Sequence, residues 1–516
     1  LYKFVSTRLS SMDNVNDRLN YADYVDADDS ISQIGDKVYA DADSSGLWRV
    51  YEKHDPYTVK RLLSPATTAD QDFGFQVVAR NDGRALVVSA PSKGQGTIDF
   101  MFRSEATAGT SFQTQSSVTT TSGDDNTGRL GHSLSMSTDE NFVVAGGPYT
   151  NTLGSDGSTR FADSGVVKIF VWNPLTFRYG TLTTRRSPVD AASQHYGWAH
   201  KICEPGAESG RSTPTKYLFV SAPGHNNDTG RVYFYTWGVG ADGSTYDTWT
   251  QDSVIFSSDG GSGKRFGHKI EANDNGDIIA ISSISPGNAG KVEIFVRTTT
   301  SNDDSTNHTF ALAQTLTGIS ADGSSLNTAF GDSITMSKDG TTLIIGAPGV
   351  DKTDQGDTGA IYYYKWNADG STNTYTLQQT IEAPDGQTNM RFGSSLSINQ
   401  SGTKIAIGAS KFANDRAMKF DNGETTFDLQ DTNIVDQNIG SGGVYTATMY
   451  NTKFVIDDRL VTTTVSLNDD FGRGVSAIDN SIFVGSPEDF GATTGDGTVS
   501  VFDQTVKGTH AWKEIA

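Results

Sequence analysis

The 516-residue sequence contains one cysteine, Cys203, so it holds neither an intramolecular disulfide framework nor a cysteine-rich zinc site. Proline is scarce at 13 residues and histidine scarcer at 8. No apolar run reaches the roughly 18 residues that a transmembrane helix needs. No methionine begins the chain and no basic-plus-apolar leader opens it, so the sequence is expected to be a processed product or part of a longer protein. Basic residues are outnumbered, 40 against 61 acidic ones, for a net charge of −21. A field of that sign repels a phosphate backbone and argues against nucleic acid as a partner. Patterns of helical period are almost missing.

Glycine is abundant, at 55 residues, and aromatics reach 10%, which disfavours disorder. These residues recur in register. An aromatic or leucine followed by glycine stands at Phe73-Gly74, Leu130-Gly131, Tyr196-Gly197, Phe266-Gly267, Phe330-Gly331, Phe392-Gly393 and Phe471-Gly472, at intervals of 57 to 79 residues. A small-residue turn follows each pair, 16 residues later in five of the seven units, as in Gly146-Gly147-Pro148 and Gly346-Ala347-Pro348. Between pair and turn, alternation such as Ser333-Ile334-Thr335-Met336 marks a half-buried strand, and Asp339-Gly340 marks a hairpin. The return strand is continuously apolar (Leu343-Ile344-Ile345), as suits a strand covered on both faces. A third strand opens on glycine (Gly359-Ala360-Ile361-Tyr362-Tyr363-Tyr364), and a more polar fourth follows.

Repeated four-stranded units arranged radially are propeller blades. The expected fold is all-β, a seven-bladed β-propeller of four-stranded antiparallel blades over residues 73–516. An open array would leave apolar faces bare at its ends. Residues 1–34, acid-rich and polar, read as a linker or arm. Residues 35–72 read as a β segment that is either a degenerate eighth blade or a strand closing the last blade. Ala511-Trp512-Lys513-Glu514-Ile515 competes for that closing position.

The order aromatic-Gly, Asp-Gly, Gly-Ala-Pro, Gly-x-Val-Tyr resembles the FG-GAP repeat family, best known from the head of integrin α subunits. The resemblance implies a rigid propeller used for binding or spacing, and many of its relatives hold calcium in the first hairpin. Here most of those hairpins are short and carry few carboxylates. Asp274 and Asp277, in Asn273-Asp274-Asn275-Gly276-Asp277, come nearest to a calcium loop, their other reading being a plain glycine hairpin. Asp351, Asp354 and Asp357 form a second candidate, in the loop between second and third strands. Asp41 to Glu52 satisfies the EF-hand loop expression, but strand-like flanks favour a hairpin there. No cofactor is required; calcium is the one ion considered. Gly46-Leu47-Trp48-Arg49-Val50-Tyr51-Glu52-Lys53 together with the repeats is similar to long virion proteins of tailed phages.

No catalytic set emerges. His132 and His268 share the position after the repeat glycine, which reads as scaffold. His195 and His200, near Cys203, fall five apart on a strand and face opposite ways. No phosphate loop or nucleophile elbow is present. Loop length varies on one rim, from 7 residues (Ser89 to Gly96) to 35 (Gly408 to Gly443), and binding specificity usually resides in such loops. The rim residues expected to meet a partner are Tyr149, His225, Asn226, Asn227, Phe412, Phe420 and Phe427. The three phenylalanines either anchor a partner or cover the insertion's own small core.

The expectation is a non-enzymatic adhesion or host-recognition module, extracellular or in a virion. Its partners would be protein subunits of a larger assembly or a cell-surface glycan or protein. The alternatives are an integrin-like adhesin and a propeller glycosidase or lyase. Acceptor triplets for glycosylation at Asn227, Asn307 and Asn399 fit chance equally well.

Overall fold

In a computed structural model, the second strand of every repeat is buried along its length, apart from the half-buried Lys404. The structure describes residues 37–41, 48–54, 57–63, 72–104, 111–119, 128–173, 175, 178–204, 216–238, 248–284, 289–298, 308–318, 328–352, 356–368, 373–384, 386–412, 441–460, 470–487, 497–504 and 511–514. Seven four-stranded antiparallel sheets form the blades. Blades one to six each use four consecutive strands of the main blade pattern, for example Ser333–Met336, Thr342–Ala347, Ala360–Ala368 and Asn373–Glu382 in blade five. Burial peaks in the second and third strands. Most first strands are only partly covered, because they line a central channel; that of blade five is buried throughout.

Seven apolar clusters hold the described residues together, one at each junction between consecutive blades. The cluster joining blade seven to blade one (Phe483, Val499 and Val501 with Phe73, Leu86 and Val88) makes the arrangement a closed ring. The first residue of every aromatic-glycine pair has no exposed surface and sits in the junction with the preceding blade. In five blades its ring meets an aromatic of its own third strand edge to face, as Phe330 meets Tyr362 at 5.3 Å.

The motif is a set of backbone contacts. The N–H of the repeat glycine donates to the carbonyl at the small-residue turn of its own blade, as Gly331 does to Gly346 (2.8 Å). The aromatic's N–H donates to the previous blade, as Phe392 does to Thr358 (3.0 Å). All seven repeat glycines have φ between 86° and 97°, a region that side chains disfavour. At the turn, a Cβ on Gly485 would lie 1.8 Å from the Gly74 carbonyl of blade one, so glycine there permits blades to touch.

The ring closes through both ends of the described chain. Tyr57–Leu63 is the fourth strand of blade seven, pairing antiparallel with Thr498–Gln504 without a register shift. In the other six blades the fourth strand carries a bulge of one residue, such as Asp457 between Ile456 and Asp458. Within residues 35–72, Tyr57–Leu63 is therefore a closing strand, and the blades number seven. Ala511–Glu514 does not take that place. It joins the hairpin of Lys37–Asp41 and Trp48–His54 in a separate three-stranded sheet. The pairing of Asp41 with Trp48 makes the EF-hand-like stretch a hairpin. Residues 1–34, read as an arm, lie outside the described residues.

Arg103 of blade one reaches across the closing junction to Asp503 of blade seven in a two-pronged pair of 2.6 and 2.9 Å. Their side chains are 1% and 8% exposed. Arg103 also donates to the Gly83 carbonyl (2.6 Å), and Ser481 donates to Asp503 (2.6 Å), so the buried charges are fully engaged.

Candidate recognition face and channel mouth

Each first strand begins on the face that also carries the loops between second and third strands, because the third-strand glycine bridges the aromatic of the next blade (Gly230 to Phe266, Gly359 to Phe392). The residue just after each repeat glycine therefore stands at the channel's entrance on the variable face. Around the ring these are Phe75, His132, Trp198, His268, Asp332, Ser394 and Arg473, all lining one cavity of about 410 Å³. They form a nearly continuous chain of contacts. The Arg473 guanidinium lies 5.0 Å over Phe75, and Phe75 is 5.7 Å from His132. His132 is 4.5 Å from Trp198, and Trp198 is 6.0 Å from His268. His268 Nε2 is 3.3 Å from Asp332.

Tyr149, expected on the rim, packs on this ring, 6.0 Å from His132 and 6.1 Å from Trp198, with Arg129 over its face at 5.5 Å. His195, whose φ is 51°, touches Tyr149 and Trp198 at 5.4 and 5.9 Å. His200 lies deeper. Its Nδ1 accepts from the Ser135 hydroxyl (2.7 Å) and its Nε2–H faces the Ser133 carbonyl (3.3 Å). The two histidines are thus engaged separately, and Cys203 is buried with its thiol pKa pushed up by desolvation. Burial lowers His132 to about 3, reinforced by Lys269, Arg473 and His268, and lowers His200 to about 4.

His225, Asn226 and Asn227 form a tight turn on the same face. Nδ1–H of His225 donates to Gln194 (2.6 Å), which leaves Nε2 to accept from Arg231. Asn226 and Asn227 have φ of 49° and 56°, and the Asn227 carbonyl accepts from Gly263 N–H (3.0 Å) and Ser262 (2.8 Å). Both asparagine side chains are exposed. Phe412 differs from the rim expectation. It is 1% exposed, packed on Tyr445 at 6.4 Å and covered by Arg459 at 5.0 Å, so it belongs to the core between blades five and six. Phe420 and Phe427 lie outside the described residues.

Three of the five carboxylates expected to offer calcium sites, Asp274, Asp277 and Asp351, have protein partners. Asp274 pairs with Lys338 (3.4 Å) and accepts from the Thr138 hydroxyl, while Asp277 accepts from the Asn273 side chain (2.5 Å). Asp351 accepts the backbone N–H of Asp357 (2.8 Å); Asp354 lies outside the described residues. Among the described residues no three His, Cys, Asp or Glu are grouped to hold a metal ion. Asn399 is 3% exposed and binds Ser401, Thr403 and Asp479, so the folded chain offers no glycan acceptor there.

Residues 375–424 match the FG-GAP repeat, a stretch that contains Phe392-Gly393 and Gly408-Ala409 with the contacts described above. The matched stretch spans the junction of blades five and six. No curated protein matches the sequence of the chain. Among solved structures, the propeller is similar to the WD40 repeats of RRP9, at 9% identity and a TM-score of 0.46 over 88% of this chain and 100% of that one. It is also similar to the β-propeller domain of Cps50 (Swd1) from Myceliophteria thermophila, at 10% identity and 0.45 over 87% and 100%. A third is the periplasmic gluconolactonase PpgL of Pseudomonas aeruginosa, at 11% and 0.43 over 84% and 99%. Likenesses this distant carry no argument about ligand or activity.

Apart from His132 and His268, which the repeat marks as scaffold, the channel ring lies outside the site residues that the repeat pattern predicts. Its signal was present in one column of the repeat: the residue after the invariant glycine varies without rule, while both positions before it hardly vary. Within a strict repeat, such a column marks a surface that seven blades share but build only once.

The depressed histidines make stability pH-dependent. A histidine whose folded pKa lies below the unfolded value of about 6.5 favours the folded state above that pH, and the benefit is lost as pH falls toward the folded value. For His200, falling from pH 7 to pH 5 is expected to remove about 2 kcal/mol. Asp457 acts in the opposite sense: burial, reinforced by Asp458, raises it to about 7, so its penalty grows as pH rises from 4 to 7. Urea midpoints of His200→Gln at the two pH values should lie closer together than those of the parent.

Proposed function

We propose that this FG-GAP propeller is a non-enzymatic recognition module of an extracellular or virion assembly. In this reading it binds a partner protein or a surface glycan through the face that carries the variable loops. The observation that carries the reading is the ring of aromatic, imidazole and charged side chains at the channel mouth, opening on that face beside Tyr149. Half-buried aromatics held by a rigid scaffold, such as Trp198 and Tyr149, are common anchors of recognition surfaces. Titratable groups do gather in the channel, but their state suits binding better than hydrolysis. A glycosidase's general acid needs a carboxyl raised toward neutrality. Asp332 is shifted the other way: His268, Lys269 and Arg391 outweigh its burial and hold its carboxyl below the usual range.

The test is attachment of the purified, fluorescently labelled chain to cell surfaces and polysaccharide-coated beads, with Tyr149→Ala as the variant. Saturable attachment that weakens about tenfold in the variant supports the reading. Time-dependent release of reducing ends by the parent, abolished in Asp332→Asn, would replace it with the enzymatic one.

A further inference from the structure

The channel departs from the charge of the chain around it. The chain carries −21, yet every carboxylate lining the cavity has a cationic partner. Glu140 pairs with Arg80 (2.8 Å), Glu271 with Lys201 (2.6 Å), and Asp332 with Arg391 (3.8 Å) and His268. Two further cations, Lys269 and Arg473, line the same space and make no ion pair among the described residues. Beyond burial, both charges hold down the pKa of His132, and Lys269 feels Arg473 as well as the opposing pull of Asp332.

The scaffold does not require Lys269. In blades two, five and six the same register holds Ser133, Ser333 and Ser395, whose hydroxyls donate to the repeat glycine's carbonyl in the next blade (2.9, 2.6 and 2.6 Å). In blade four the hydroxyl has moved to the second strand, where Ser282 accepts the N–H of Lys269 itself (3.0 Å). Blade three makes the same exchange with Ser221 and places Ala199 at the vacated position. A small neutral residue therefore serves the fold, whereas the lysine's ammonium is desolvated, and this lowers its pKa even though Asp332 pulls the other way.

The geometry points to a binding site at the channel mouth for a hydroxylated carboxylate the size of one sugar acid. Its carboxylate would lie between Lys269 and Arg473, its hydroxyls toward Asp332, and its carbon skeleton against Trp198. This rests on the recognition reading of the same face. Arginine and lysine together suit a carboxylate, the first through its planar fork. Asp332 repels a bare oxyanion but accepts from hydroxyls, which selects a ligand that carries both groups. A cavity of about 410 Å³ falls within the roughly 300–1,000 Å³ of small-molecule sites.

Calorimetric titration of the full chain with glucuronate, glucose, inorganic phosphate and an oligosaccharide ending in glucuronate tests the site. Saturable glucuronate binding is expected, with glucose about tenfold weaker or worse. Lys269→Gln and Arg473→Gln should each weaken glucuronate about tenfold while the thermal midpoint stays near the parent's. Oligosaccharide binding at least as tight as that of the free acid identifies a glycan terminus as the source; binding of the free acid alone identifies a small solute. Phosphate binding as tightly as glucuronate, or variants that bind like the parent, overturns the proposal. A parent that ignores glucuronate but loses cell attachment in Tyr149→Ala overturns this proposal alone and leaves the recognition face standing.

Discussion

Deleting residues 1–63 is expected to make the propeller aggregate and to lower its thermal midpoint strongly. The deletion removes Tyr57–Leu63, and with it all seven cross-strand pairings on the outer side of Thr498–Gln504. That strand would become an edge with open N–H and C=O groups, a template for association that closed rings otherwise avoid. The loss extends inward, because Leu62 is 6% exposed and belongs to the junction cluster with Phe73, Leu86 and Val499. Truncating a buried leucine to alanine costs about 2–5 kcal/mol on its own. Total domain stability is commonly about 5–15 kcal/mol, so losing the strand as well should dominate the balance. Size-exclusion chromatography and thermal melts of the deletion, beside Leu62→Ala in the full chain, measure both parts. A monomer melting at the parent's temperature would show that blade seven closes without this strand.

The second large effect is expected at Arg103, on the same junction. Arg103→Met leaves Asp503 buried with Ser481 as its remaining side-chain donor, and uncompensated buried charges of this kind cost about 3–5 kcal/mol. The variant also loses the bond to the Gly83 carbonyl and the contact over Phe112 at 4.8 Å. Asp503→Leu should be similarly damaging alone. The double variant Arg103→Met with Asp503→Leu should recover much of the loss, since an apolar pair of similar volume often matches a buried ion pair. Urea unfolding of the four proteins gives the coupling directly. Additive losses would mean that the two residues act separately.

Both effects fall on the one junction whose strands come from opposite ends of the chain, about 440 residues apart in sequence. The other six junctions join consecutive repeats, and they were legible. Phe392-Gly393 with Gly408-Ala409 marks a blade boundary because a left-handed glycine and a close backbone approach are demands on single residues, and they recur wherever the contact recurs. The apolar second strands were legible for a similar reason, since two covered faces leave no polar alternate. Residues 57–63 carried no such mark. A fourth strand pairs on one side only and tolerates many sequences, so two segments could compete for the place.

The candidate site divides in the same way. Tyr149 was readable as rim because it follows the turn at Gly146-Gly147-Pro148. Phe412, two residues after the equivalent turn at Gly408-Ala409-Ser410, was not separable from it by spacing, yet Tyr445 and Arg459 enclose it. What the sequence determined unaided is the blade and its internal register, because those rest on short-range backbone geometry repeated seven times; that no eighth blade is added was left to the structure. Which strand closes the ring, which loop aromatics are covered, and which seven side chains meet at the axis were decided only by tertiary structure. Each depends on residues brought together across the ring, and no local pattern records what lies opposite.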